Sequence, residues 1–335
     1  MRKRVLMVGT GGTIAAEMTE AGLAPGLGGA DLLDYVPALR ELCKVDCLQV
    51  LSIDSTNMTP DHWLTVENAI REHYEEYDGF VVSHGTDTMA YTAAALSYLI
   101  QDSPKPIVLT GGQKPIYTDV TDSKTNLLDA FTVACDGRIP GGTVVFGGAV
   151  IPGTRARKTY SKSFGAFSSI NYPALGVVRD GQLIPYLCPP RGEGPRFFDT
   201  LDPKVALMKL IPGASPDQLA FLLRESHAVI VESFGVGGVP AGAGGEFYRV
   251  IREGLAAGKL VAVTTQVQNE GSDLAVYSVG HSLKTDLGVL EAYDMTTEAL
   301  TAKLMWALGQ TGEPGALARL LYTPVASDIL CAPQG

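Results

Sequence analysis

Short apolar runs that end in glycine, threonine or serine recur along the first half of the chain. They close at Val8, Val82, Leu109 and Phe146, and helical periodicity fills the intervals at residues 61–74, 87–100 and 122–135. Strands alternating with helices of this length predict βαβ units and a mainly parallel sheet with flanking helices. Pro60 opens the first helix, where its missing N–H costs nothing, and Thr86, Asp87 or Thr88 supplies the N-cap of the second. The periodicity stops after Pro185, where Pro189, Pro190, Gly192, Gly194 and Pro195 crowd one stretch. A smaller set of βα units then resumes with Ala228-Val229-Ile230-Val231, a helix at 246–257, Leu260-Val261-Ala262-Val263, and closing helices at 297–308 and 314–321. The expected organisation is a larger N-terminal α/β domain at 1–184, a linker at 185–203 and a smaller C-terminal α/β domain at 204–335.

A length of 335 residues agrees with two domains, since it is about twice the usual single-domain size. The net charge of −10 argues against nucleic acid or an anionic membrane as partner, because both reward Lys and Arg. Met1-Arg2-Lys3-Arg4 has the charge of a secretory n-region, yet the apolar residues before Gly9 fall short of the roughly 7–15 of an h-region. It is read as the start of the first strand. No run approaches the roughly 20 apolar residues of a membrane span. Five scattered cysteines, Cys43, Cys47, Cys135, Cys188 and Cys331, suit a reducing, cytoplasmic location better than a disulfide framework. Cys43 and Cys47 lack a nearby histidine and read as packed thiols, not zinc ligands.

Chemistry concentrates at two of the strand ends. Gly9-Thr10-Gly11-Gly12-Thr13 follows the first strand and Ser83-His84-Gly85-Thr86-Asp87-Thr88 the second. In an open α/β sheet these ends face the ligand crevice, and glycine turns admit close backbone approach with N–H groups aimed at an anion. A nucleotide loop is poorly supported, because Ile14 stands where the third glycine of a dinucleotide turn belongs and no Gly-Lys-Ser/Thr follows. Thr13 presents a hydroxyl to the crevice, and Thr86 a second one with the Asp87 carboxylate beside it. A threonine hydroxyl needs a base to act as nucleophile at neutral pH. Taken singly, Thr86 and Asp87 are helix caps, and Lys158 in Arg155-Ala156-Arg157-Lys158 is one of a basic surface cluster.

Thr10-Gly11-Gly12-Thr13-Ile14 and His84-Gly85-Thr86-Asp87-Thr88 together resemble the two signature segments of bacterial-type L-asparaginases. The likeness continues in order through Ile53-Asp54-Ser55, Leu109-Thr110-Gly111-Gly112-Gln113, Gly153-Thr154-Arg155 with Lys158, Ser233-Phe234-Gly235 and Val276-Tyr277-Ser278-Val279-Gly280. Among subtypes the chain is most similar to the cytoplasmic type I enzymes. The resemblance implies hydrolysis of L-asparagine to L-aspartate and ammonia, with Thr13 as nucleophile and an acyl-enzyme intermediate. Thr86, Asp87 and Lys158 then move the proton, in the manner of a Ser-His-Asp triad built from other parts. The implied substrate-binding set is Gly12, Asp54, Ser55, Thr56, Gly85, Thr86, Asp87 and Gly112. For Asp54 on its own, capping the turn into Ser55-Thr56-Asn57 is preferred to direct contact. Neither a metal nor an organic cofactor is implied, and the expected assembly is a homodimer or homotetramer.

Two positions depart from the family pattern. Leu23, within Glu20-Ala21-Gly22-Leu23-Ala24-Pro25-Gly26, falls where a lid tyrosine is usual, and Tyr277 of the smaller domain matches the position from which other members draw one. Tyr160 and Tyr172 are the next candidates. Thr265-Gln266 is followed by Val267 instead of a cysteine, which speaks against allosteric control by asparagine. The competing readings are the amidase subunit of a tRNA-dependent amidotransferase and a non-catalytic amino-acid binder of the same fold. The first calls for an additional N-terminal module ahead of Thr10 and a basic face; the second calls for loss of Thr13, Thr86 or Lys158.

Overall fold

The apolar runs that punctuate the sequence are the central strands of the computed structural model, and their residues are fully enclosed: Val5, Val8, Phe80, Val81, Val82, Val108, Leu109 and Val144 expose nothing. The structure describes residues 2–19, 22–240 and 245–331. It divides into two compact units, one of residues 1–199 with 325–327 and the other of 200–324 with 328–335.

The first unit holds, in chain order, strand β1 (Arg4–Gly11), β2 (Lys44–Ile53), helix α1 (Pro60–Glu72), β3 (Gly79–Ser83), α2 (Met89–Leu99), β4 (Pro106–Thr110), α3 (Ser123–Asp136), β5 (Gly141–Phe146), β6 (Ala149–Pro152), β7 (Ala156–Lys158), β8 (Phe167–Ser169), β9 (Gly176–Arg179) and β10 (Gln182–Pro185). Eight of these strands form one sheet in the order β10-β9-β6-β5-β4-β3-β1-β2. The five strands from β5 to β2 run parallel, and β6, β9 and β10 add an antiparallel edge. Helix α2 is buried on nearly every face, because its Ala93-Ala94-Ala95 centre is small enough to lie close to its neighbours. Each Val, Leu or Phe enclosed in this way contributes about 1.5–3 kcal/mol.

Register is what makes the sheet a platform. Gly9 lies opposite Ser83, and Ser83 opposite Thr110, so the turns after β1, β3 and β4 leave the sheet at one level. Side chains pin them there: Thr10 Oγ1 donates to the Ser83 carbonyl at 2.8 Å and Thr110 Oγ1 to the Val145 carbonyl at 2.8 Å.

The second unit is a four-stranded parallel sheet of β11 (Val205–Lys209), β12 (Ala228–Ser233), β13 (Leu260–Thr265) and β14 (Leu290–Glu291), paired in that order. Helices α4 (Pro216–Glu225), α5 (Glu246–Ala256), α6 (Ser278–Thr285), α7 (Thr297–Gln310) and α8 (Pro314–Tyr322) accompany it. Lys303 of α7 and Asp328 form an ion pair at 2.6 Å with neither side chain exposed, so removing either partner would strand a buried charge. Residues 325–327 belong to the first unit. The buried Thr154 hydroxyl donates to the Ala326 carbonyl at 2.7 Å, and Arg155 Nε donates to the Ser327 carbonyl at 2.6 Å. Ala326 and Ser327 both hold left-handed backbone, with φ of 48° and 61°, a conformation that costs a non-glycine residue about 1 kcal/mol or more.

The stretch after Pro185 is not free of regular structure: Arg196 and Phe197 pair antiparallel with Gln101 and Ile100. Among the described residues no helix is long and apolar enough to cross a membrane, and all five cysteines are free thiols.

One buried acid in the first unit has a measurable pH signature. Glu67 of α1 is 1% exposed, its Oε1 accepts no hydrogen bond among the described residues, and Arg71 approaches it only to 3.7 Å. Burial pushes its carboxyl up to about 7. A raised value means the neutral acid suits the fold, so its contribution is full below about pH 4.5 and is lost as pH rises through 7. Glu67→Gln keeps the shape without the charge and is expected to raise the melting temperature more at pH 8 than at pH 5. Equal shifts at both values would show that the carboxylate is not ionising in place.

Candidate active site

Four neighbouring strands of the large sheet, β1 to β4, deliver most of the first unit's candidate residues, and β7, outside that sheet, delivers Lys158. The turn after β1 carries Gly11 and Gly12 at φ of 101° and 81°, which L side chains rarely adopt. A Cβ on Gly12 would also strike the backbone nitrogen of Gly85, so the first two signature turns lie against each other. Thr13 begins a short 3-10 turn and is half-buried; among the described residues its hydroxyl has no hydrogen-bond partner. Gly12 N–H donates to the Ile53 carbonyl at 3.0 Å, which joins the end of β2 to the same cluster.

From β2, Ser55 is buried and a Cβ on Gly85 would come within 2.5 Å of its Oγ. Gly12, Ser55 and Gly85 are therefore brought together as the sequence set implies. Asp54 behaves as a turn residue: its carboxylate accepts from the Thr56 N–H at 2.8 Å and from the Thr56 hydroxyl at 2.9 Å. Thr56 is thereby spent on the turn, and both side chains are exposed. Thr88 stands at the N-cap of α2, but its hydroxyl donates to the Ser55 carbonyl at 2.8 Å, tying this turn to the next.

After β3, Thr86 is buried and Asp87 exposed. Lys158, at the end of β7, donates to Thr86 Oγ1 at 2.7 Å and to Asp87 Oδ1 at 2.6 Å. The lysine side chain is only 18% exposed and the aspartate 58%, so the ammonium is sheltered while the carboxylate stays largely in water. The basic cluster that contains Lys158 in the sequence is no surface cluster either, since Arg155 is wholly buried.

His84 is a strut. It is fully enclosed, and burial lowers its imidazole to about 4, so the ring is neutral. Its Nδ1 lies 2.7 Å from the Gly85 carbonyl, which can only accept, and Nε2 therefore accepts from Thr92 at 2.9 Å. Trp63 Nε1 donates in turn to Thr92 at 3.0 Å. This relay from α1 through α2 fixes the carbonyl of the second signature glycine.

After β4, Gly112 sits against Ser123, leaving no room for a Cβ, and Ser123 Oγ donates to the Lys114 carbonyl at 2.5 Å. Gln113 is the residue that motif reading passed over: its side chain reaches Thr86. The signal was an amide directly after a glycine pair, which has meaning only once its partners are in place.

In the second unit, Tyr277 is 62% exposed at the N-cap of α6. The segment bearing it is anchored by the fully buried Glu291, which accepts from the Leu274 N–H at 2.8 Å and pairs with Lys284 of α6 at 2.7 Å. Of the alternatives, Tyr160 is 57% exposed and Tyr172 is half-buried beneath the Arg155 guanidinium. Ala16–Thr19 and Gly22–Pro25 pair as antiparallel strands after Thr13. Glu20, Ala21 and the side chain of Leu23 lie outside the described residues. Among the described residues no group of three or more His, Cys, Asp or Glu is placed to hold a metal.

Arrangements in which strand-end hydroxyls meet a lysine held by a carboxylate belong to enzymes that work through an activated hydroxyl. Residues 4–189 match the family model for the asparaginase N-terminal domain, and 204–321 that for the glutaminase/asparaginase C-terminal domain. The chain is 39% identical to the L-asparaginase of Thermococcus kodakarensis, over 97% of this chain and 99% of the relative. The solved structure of the thermostable L-asparaginase from that organism superposes with a TM-score of 0.92, covering 98% of this chain and 100% of that one. L-asparaginase 1 of Escherichia coli (strain K12) is 34% identical over 92% of this chain and 93% of its own. A component of the glutamyl-tRNA(Gln) amidotransferase from Metallosphaera sedula is 32% identical over 97% of this chain and 76% of its own. The chain belongs to the asparaginase family.

Proposed function

We propose that this chain hydrolyses the side-chain amide of L-asparagine to L-aspartate and ammonia. The observation that carries the reading is the contact of Lys158 with both Thr86 and Asp87, beside the turn that presents Thr13. Thr13 attacks the amide carbon, ammonia leaves, and water hydrolyses the resulting acyl-enzyme. Lys158, oriented by Asp87, exchanges a proton with Thr86, which activates the water. Ser55 and the N–H groups of the glycine turns hold the substrate's α-carboxylate, and Asp87 its ammonium. The same turns stabilise the oxyanion, usually the largest single contribution in such chemistry. Ammonia release from L-asparagine by the purified chain tests the reading. Binding of L-asparagine without turnover would return the chain to the amino-acid-binder alternative. The amidotransferase reading is less well supported, since the chain matches the L-asparaginases over almost their entire length and the amidotransferase component over 76%.

A homo-oligomeric, cytoplasmic enzyme belongs to the same proposal, with Tyr277 supplied by a neighbouring protomer to polarise Thr13. Tyr277→Phe removes only a hydroxyl, so kcat is expected to fall about tenfold to a hundredfold while the melting temperature stays. An unchanged kcat, or a fully active monomer by light scattering, would dismiss Tyr277 and direct attention to Tyr160 and Tyr172.

A further inference from the structure

Thr86 has a second partner. Its hydroxyl lies 3.3 Å from Gln113 Oε1, and Gln113 Nε2 donates to the Ser163 carbonyl at 3.2 Å. A carbonyl can only accept, so Ser163 decides which end of the amide faces Thr86: the oxygen. The Gln113 backbone is held as well. Its N–H donates to both carboxylate oxygens of Asp122, at 3.0 and 2.9 Å, and Asp122 also accepts from the Lys114 N–H at 3.1 Å and from Asn126 Nδ2 at 3.0 Å. Asp122 is buried, so this anchor is sheltered from water. The half-buried Gln113 side chain is thus fixed at its root and at both ends of its amide.

The consequence follows from counting protons. A hydroxyl has one. Lys158 as an ammonium has only donors to offer, so Thr86 must direct its own proton elsewhere, and Gln113 Oε1 is the acceptor within reach. For water activation the same proton has to move to a neutral Lys158. We propose that Gln113 is a positioning residue that holds the Thr86 proton while Lys158 is charged and yields it when the lysine is neutral. In that second state the Thr86 O–H bond breaks toward Lys158 Nζ as Thr86 takes a proton from the attacking water. Through Ser163, the segment between β7 and β8 is tied to the same hydroxyl. The assignment rests on the Thr86–Lys158 pair moving the proton as proposed above.

Asp87, from the turn after β3, touches Lys158, and Asp122 holds the Gln113 backbone; Arg157, Lys114 and Lys162 are the cations next in sequence to Lys158, Gln113 and Ser163. A carboxylate placed at position 113 adds one negative charge to this set and favours the ammonium form of Lys158. Gln113→Glu, Gln113→Met and Lys158→Met would be assayed for kcat and KM across pH, with L-aspartate affinity and melting temperature measured alongside. The acidic limb of the Gln113→Glu kcat profile is expected to move to higher pH by about one unit, with activity recovering toward alkaline pH and KM little changed. Gln113→Met is expected to lower kcat about fivefold to tenfold, with aspartate affinity and melting temperature close to wild type. An unmoved limb in Gln113→Glu overturns the assignment, as does a wild-type kcat in Gln113→Met or a loss matched by falling stability. If Gln113→Glu does not fold, the kcat and KM of Gln113→Met decide alone. An active Lys158→Met enzyme would sink the proton-moving pair itself; an inactive one with an unmoved Gln113→Glu limb sinks only Gln113.

Discussion

Thr13→Ala is expected to lower ammonia release from L-asparagine by about a thousandfold or more, while the melting temperature stays within about a degree. The size follows from removing the nucleophile proposed above, after which only binding and oxyanion stabilisation would remain to accelerate hydrolysis. The unchanged stability follows from the site: Thr13 is half-buried and its hydroxyl bonds to no described residue, so the substitution opens little cavity and orphans no partner. The fold of the turn is secured by its neighbours, through the positive φ of Gly11 and Gly12 and the bond from Gly12 to Ile53. L-Aspartate should still bind, because Ser55 and Asp87 are untouched. Near-normal turnover in the alanine variant would move the nucleophile to Thr86, the other hydroxyl at this end of the sheet.

Lys158→Met is expected to cost about a hundredfold to ten-thousandfold in kcat, the range for loss of a positioned acid–base group, which is the role proposed for it above. Methionine fills most of the volume of the lysine stem, so packing between β7 and its surroundings is kept. The contact between Lys158 and Asp87 is not itself a large source of stability, since the aspartate is more than half exposed and such pairs contribute about 0–1 kcal/mol. The loss should therefore appear in kcat with little change in melting temperature. Steady-state kinetics with the Tm of the same preparation check both halves of this expectation, and a variant retaining most of its kcat would leave Lys158 a mere hydrogen-bond donor to Thr86.

The interior strands were legible in the sequence because they are buried on both faces: nothing but apolar residues can occupy Val5–Val8 or Phe80–Val82. Strand β2 was not, because it lies at the sheet edge and mixes Lys44, Asp46 and Gln49 with its apolar residues. The antiparallel strands β6, β9 and β10 have four residues each, too few for periodicity to register. At the site, Thr13 and Thr86 were legible because a strand end followed by a glycine turn already says which way a hydroxyl faces. Lys158 was not legible from its own neighbourhood; the buried Arg155 and the Thr86 contact 72 positions away give it meaning, and only the family likeness pointed to it. Gln113 was missed for the same reason, since Ser163 stands 50 residues further on.

The short segment 325–327 completes the first unit from far along the chain. Translation delivers the bulk of the first unit before the second. Ala326 and Ser327, whose carbonyls answer the buried Thr154 and Arg155, follow 172 residues behind those partners, after the helices and strands described for the second unit. Three positions after Arg155 comes Lys158. Until Ser327 is added, a nascent chain lacks two of the acceptors that hold the approach to the strand carrying the lysine. A chain cut short before Ala326 would leave Thr154 and Arg155 without these two acceptors.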